Sequence, residues 1–103
     1  MITVNEGTTA YLIVTFLDRD GEVQTPLTAT WQAIDVGSGE ILQNETALSP
    51  ASSIEITIPA SVNLMVNENL SQEIRRVIIK STYGDSEMCN SYYDYIVRNL
   101  SEI

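Results

Sequence analysis

Apolar residues recur at every second position along most of this chain, and turn residues interrupt the pattern at short intervals. Ser53–Ile58 shows it most cleanly: Ile54, Ile56 and Ile58 face inward while Glu55 and Thr57 face solvent. Period two is the repeat of an extended strand, whereas a helix would bring apolar residues back every third or fourth position. A chain patterned in this way must build its core from strands.

The same reading places the other strands. Residues 10–17 alternate Ala10, Leu12, Val14 and Phe16 with Tyr11, Ile13, Thr15 and Leu17. Both sets contain apolar residues, which predicts a central strand covered on both sides. Asp18-Arg19-Asp20-Gly21 then supplies a turn, with Gly21 suited to the left-handed region. A short extended piece, residues 22–25, ends at Pro26. Residues 28–36 put Ala29, Trp31 and Ala33 on one face and Thr30, Gln32 and Ile34 on the other. The two alanines leave room for the indole, so Trp31 is expected in the core, where truncation to Ala costs about 3–5 kcal/mol.

Gly37-Ser38-Gly39 marks a hairpin, with residues 40–46 as its returning strand. After residues 53–58, Pro59 stops the pattern. Residues 60–70 carry Val62, Leu64, Met65, Val66 and Leu70 at a spacing that suits a helical turn or an irregular crossover. Residues 73–83 and 87–98 are two long strands joined by a tight turn at Tyr83-Gly84-Asp85-Ser86, and residues 99–103 form a short polar tail. About seven strands at roughly 8–12-residue spacing, with almost no helix, predict an all-β fold. The expected architecture is an immunoglobulin-like antiparallel β-sandwich, one domain over residues 1–103.

Composition narrows the chemistry. The chain has no histidine, so the commonest general base and metal ligand is missing. Its one cysteine, Cys89, has no disulfide partner and falls in strand pattern, where a buried structural thiol is expected. No Gly-rich phosphate loop or nucleophile elbow occurs. Asp18, Asp20 and Gly21 resemble the opening of a calcium loop, but no later ligand completes it, so they read as a turn. Three Asn-x-Ser/Thr sequons, at Asn44, Asn69 and Asn99, are set aside because residues 1–6 lack the pattern of a secretory signal. No enzyme activity, cofactor or metal is expected.

The net charge of −9 disfavours nucleic-acid and anionic-membrane partners, both of which are bound by counter-charge. The plain reading of this acidity is solubility, and the functional one is a basic partner surface or a cation. Tyr92, Tyr93 and Tyr95 cluster near Tyr83, with Tyr92 and Tyr93 on opposite faces of one strand and Tyr95 on the face of Tyr93. Exposed tyrosines are favoured at interfaces, which makes Tyr92 and Tyr95 the candidate contact residues. Arg75 and Arg76 sit on the preceding strand, where one of them can pair with Asp94 across the hairpin.

Three stretches carry a resemblance: residues 2–11 (Ile-Thr-Val-Asn-Glu-Gly-Thr-Thr-Ala-Tyr), residues 49–58 (Ser-Pro-Ala-Ser-Ser-Ile-Glu-Ile-Thr-Ile), and residues 75–85 from Arg75-Arg76-Val77 to Tyr83-Gly84-Asp85. With them, the chain resembles, over nearly its full length, the small immunoglobulin-like structural proteins of tailed-bacteriophage virions. The shared features are strand-and-turn patterns and carry no catalytic signature, so no functional residue is transferred. The resemblance implies a non-enzymatic virion part made in the host bacterial cytoplasm, foremost a capsid decoration protein on the outer head surface. Its partners would be other virion proteins such as the major capsid protein, with a homo-oligomer allowed. A head–tail connector or tail component is an alternative, as is a module that binds carbohydrate or a host-surface ligand. A hydrolase with paired carboxylates has the least support, because no Asp or Glu pair is placed by pattern in one pocket.

Overall fold

Alternation and turn chemistry together produce two stacked sheets. The computed structural model describes residues 1–84 and 87–102. Its strands are β1 (Thr3–Asn5), β2 (Ala10–Thr15), β3 (Thr28–Asp35), β4 (Ile41–Leu48), β5 (Ser53–Ile58), β6 (Gln72–Thr82) and β7 (Met88–Arg98). Five strands form one sheet in the order β1-β7-β6-β3-β4, while among the described residues β2 pairs only with β5. In an immunoglobulin-like sandwich the second and fifth strands of the series share one sheet, and the third, sixth and seventh share the other. This chain keeps that arrangement, and among its described residues no strand flanks β2 and β5.

The core lies between the sheets. Ala29, Trp31 and Ala33 of β3, Val77 and Ile79 of β6, and Tyr95 and Val97 of β7 project from the large sheet. Ala10, Ile56 and Ile58 meet them from the small sheet, joined by Phe16 and Val62, with Leu12, Val14 and Ile54 packed at the margin. Trp31 is buried between its two small neighbours, as the pattern predicts. The β6–β7 hairpin pairs eleven residues without a register shift, and its length contributes to the 47 × 21 × 20 Å shape. Gly21 and Gly39 close their turns at φ of +84° and +76°, a region where only glycine is unstrained.

Several expectations need correction. The short extended piece of residues 22–25 is too brief to count among the seven strands. Asp18, with its tight turn through Gly21, leaves room for only one bridge, Leu17 to Val23, before Pro26. The seventh strand is instead β1, which adds parallel to β7 through Thr3↔Ile96 and Val4↔Val97, so the sandwich is mixed rather than wholly antiparallel. The expected crossover contains a short 3-10 turn, Ala60–Asn63. Asp85 and Ser86 of the expected hairpin turn lie outside the described residues. The tail begins with a buried Asn99, whose side-chain amide donates to the carbonyls of Glu68 and Leu70 before the 3-10 turn Leu100–Glu102.

Two burial expectations also change. β2 is covered on one face only: Tyr11 is 61% and Ile13 69% exposed, because β2 and β5 are the outer layer of a two-layer stack. Cys89 is exposed rather than buried. It sits in the inward phase of β7, but β2 and β5 are six residues long against eleven for β7, so the small sheet does not extend over it.

Candidate functional site

Charged residues in the inward phase of the strands mark the first place to look. Asp35 ends the inward series of β3, and Glu73 and Arg75 begin that of β6. All three side chains are buried at one end of the sandwich. The Arg75 guanidinium reaches Asp35 at 2.7 Å and Glu73 at 2.9 Å. It also donates to the carbonyls of Val62 and Leu64 in the crossover after β5. Asp35 in turn accepts from the backbone and hydroxyl of Ser38, holding the β3–β4 turn. Glu73 accepts from the amides of Val66 and Asn67. The β3–β4 turn and the β5–β6 crossover are thereby tied to one cation.

An open groove of about 440 Å³ lies against this cluster, walled by Val36, Val66, Leu70 and Ile74 with Ser38 and Asn67 at its rim. Its acidic floor is committed. Each carboxylate oxygen of Asp35 and Glu73 already accepts a hydrogen bond, and Arg75 donates from all three of its nitrogens. Such a network clamps loops; it offers no unengaged acid or base for general catalysis. At the opposite end, Leu17, Arg19, Tyr83, Met88 and the exposed Cys89 line a second open hollow of about 510 Å³. Among the described residues no three Asp, Glu or Cys side chains gather as a metal site. Asp18 is used by its own turn, its Oδ1 accepting from the amides of Asp20 and Glu22.

The two tyrosines singled out from sequence separate sharply. Tyr95 is 1% exposed, so it belongs to the core and is corrected as a surface contact residue. Its phase on β7 points it between the sheets, where its hydroxyl donates to Asn63 at 2.6 Å. Asn63 passes the connection on by donating to the Thr8 carbonyl, linking β7, the crossover and the β1–β2 loop. Burial pushes the Tyr95 phenol up to about 12; the nearby Arg75 charge and the bond to Asn63 oppose that shift.

Tyr92 lies on the other face of the large sheet and is 64% exposed. The Arg76 guanidinium sits 4.3 Å from its ring centroid and also forms a two-pronged pair with Asp94, at 2.8 and 2.9 Å. Of the two adjacent arginines, Arg76 therefore makes the cross-hairpin pair, and Arg75 is the buried clamp. The hydrogen bonds with Asp94 raise Arg76 above its ordinary value and hold Asp94 below the usual carboxylate range. Tyr92 thus presents one ring face to solvent on a fixed support.

The remaining feature is the uncovered face of β2–β5. Tyr11 stands opposite Thr57, Ile13 opposite Glu55, and Thr15 opposite Ser53. Four of the chain's five cations (Arg75, Arg76, Lys80 and Arg98) belong to β6 and β7, and the fifth, Arg19, lies in the turn after β2. The small sheet therefore offers two large apolar side chains beside one carboxylate, with no further strand on either edge among the described residues. Sequence reading missed this face because β2 alternates like a doubly covered strand. It missed the clamp although Asp35, Glu73 and Arg75 all fall in the inward phase of their strands, which was the available signal.

Fold and surface together define a seven-stranded, immunoglobulin-like β-sandwich closed at one end by an ionic clamp. No protein-family model and no curated protein matches the chain.

Proposed function

We propose that this chain is a non-enzymatic structural protein that docks on a protein partner through the uncovered face of its β2–β5 sheet. Within that class, the reading is a component of a tailed-phage virion, foremost a capsid decoration protein seated on the major capsid protein at the outer head surface. One observation carries the docking: β2 has the residues of a strand buried on both sides, yet among the described residues no layer covers Tyr11 and Ile13. Covering two such side chains contributes roughly 1.5–3 kcal/mol each. The virion assignment is supported by the resemblance of residues 2–11, 49–58 and 75–85 to small virion proteins.

The test uses capsids that lack this protein. The wild type is expected to pellet with them, whereas Ile13→Lys, at an exposed position where the new charge faces Glu55 across the ladder, stays in the supernatant with its urea midpoint close to that of the wild type. A wild type that fails to associate with capsids overturns the capsid decoration reading, and one that also fails to associate with necks and tails overturns the virion reading. A glycan array then decides whether the chain is a carbohydrate or host-surface binding module. Head–tail connector and tail component are distinguished by pelleting with necks or tails instead of heads.

A further inference from the structure

The two edges of the five-stranded sheet are treated differently by the sequence. At one edge, β4 shifts register against β3 between Trp31 and Ala33 and again before Ile34, and it carries Glu45. Such irregularities and charges keep an edge from pairing with a neighbour. At the other edge β1 pairs only with residues 96–98 of β7, leaving residues 88–94 with no strand beside them among the described residues. This stretch, Met-Cys-Asn-Ser-Tyr-Tyr-Asp, has no proline, no lysine and no bulge. Its one charge, Asp94, is held by Arg76. An edge of seven regular residues without protection is a template for another strand.

The backbone phase of that edge follows from β1. The amide of Ile96 donates to the carbonyl of Ile2, and the carbonyl of Arg98 accepts from the amide of Glu6. Even-numbered residues of β7 therefore point their amides and carbonyls toward the edge. With no register shift along β7, Met88, Asn90, Tyr92 and Asp94 present theirs unpaired. This phase is self-complementary. When a second β7 lies antiparallel about a two-fold axis at Ser91, Asn90 meets Tyr92 of the other copy, and Met88 meets Asp94. All four are hydrogen-bonding positions. Ser91 then meets its own copy at a non-hydrogen-bonded pair, where Cα atoms come within about 4.5 Å and a small side chain is required. Ser91 is small, and both it and Cys89 are exposed on the inner face, so no side chain of the same copy fills the approach.

We infer that the chain forms a two-fold dimer by antiparallel pairing of β7 with β7 about Ser91, joining two five-stranded sheets into one of ten. The interface is isologous and closes on itself, so association stops at two copies. It lies on a different edge from the β2–β5 face and does not depend on the virion reading.

The experiment is sedimentation velocity on the isolated full-length protein over a concentration series, with two substitutions at Ser91. Wild type is expected to approach twice the 11.4 kDa chain mass as concentration rises. Ser91→Lys places two like charges across the axis and is expected to remain at the single-chain mass, with its urea midpoint unchanged. Ser91→Cys combined with Cys89→Ser is expected to form a covalent dimer under mild oxidation, because the paired Cα atoms fall within disulfide range of about 4.4–6.8 Å. Wild-type Cys89, opposite Tyr93 of the other copy, is expected not to cross-link. A wild type that stays monomeric at its highest soluble concentration overturns the proposal. So does a dimer that Ser91→Lys leaves intact, or one that cross-links through Cys89 and not through position 91.

Discussion

Removing the guanidinium of Arg75 leaves two buried carboxylates without their shared cation, and the consequence can be worked out. Asp35 and Glu73 lie 2.7 and 2.9 Å from it, with side chains only 5% and 3% accessible. Breaking a buried pair by deleting one partner costs about 3–5 kcal/mol. The carbonyls of Val62 and Leu64 also lose their donors, at about 1 kcal/mol each if water replaces them imperfectly. Arg75→Met should therefore cost about 5–7 kcal/mol, a large part of the roughly 5–15 kcal/mol that holds a domain of this size folded. In a urea titration followed by Trp31 fluorescence, the midpoint should fall by about 2.5–3.5 M for a slope near 2 kcal/mol per molar. Adding Asp35→Asn and Glu73→Gln keeps acceptors for Ser38, Val66 and Asn67 while removing the stranded charges, and should restore part of the loss. An Arg75→Met cost below about 1 kcal/mol, or a triple variant less stable than the single one, refutes the reasoning.

Other perturbations follow from the same geometry. Because the Tyr95 phenol is raised from 10.0 to about 12 in the folded state, its contribution is full below pH 10 and is lost as pH rises through about 12. Two units at 1.36 kcal/mol each make this roughly 3 kcal/mol, and a pH series of unfolding midpoints on wild type and Tyr95→Phe should show the difference in slope. Asp94 has the opposite sign: lowered by its bond to Arg76, it contributes above its ordinary 3.8 and loses that contribution as pH falls through its folded value. Asp94→Asn should flatten acid unfolding between 3.8 and that lower value. Trp31→Ala should cost about 3–5 kcal/mol in the same urea titration, since the indole is buried between β3, β6 and the small sheet.

How much of this was legible in the sequence depended on the scale of the interaction. Strand identity is local, and Ser53–Ile58 and the β6–β7 hairpin follow directly from alternation and from turn residues at their ends. Trp31 between two alanines likewise announced its own burial. β1 was invisible because three residues carry too little pattern and its partner lies more than ninety positions away. Coverage is a property of the whole stack, so Tyr11 and Ile13 could look buried, and Cys89 could look like core, while the second layer was too narrow or too short to reach them. Tyr95 and Tyr92 differ by an odd number of positions, so alternation already put them on opposite faces. Which face was the inner one depended on where the small sheet packs. The clamp was half legible: a charged residue in inward phase demands a partner, but that Asp35, Glu73 and Arg75 answer one another requires the β3–β6 register, which pairs Asp35 with Arg75.

The central claim is that the uncovered β2–β5 face is where this protein meets its partner. Cryo-electron microscopy of capsids reconstituted with the purified protein tests it most directly. The account predicts regular density for the sandwich at one symmetry position, with Tyr11 and Ile13 turned into the capsid surface. Ordered density with that face turned outward to solvent, or no ordered density at saturating protein, contradicts it.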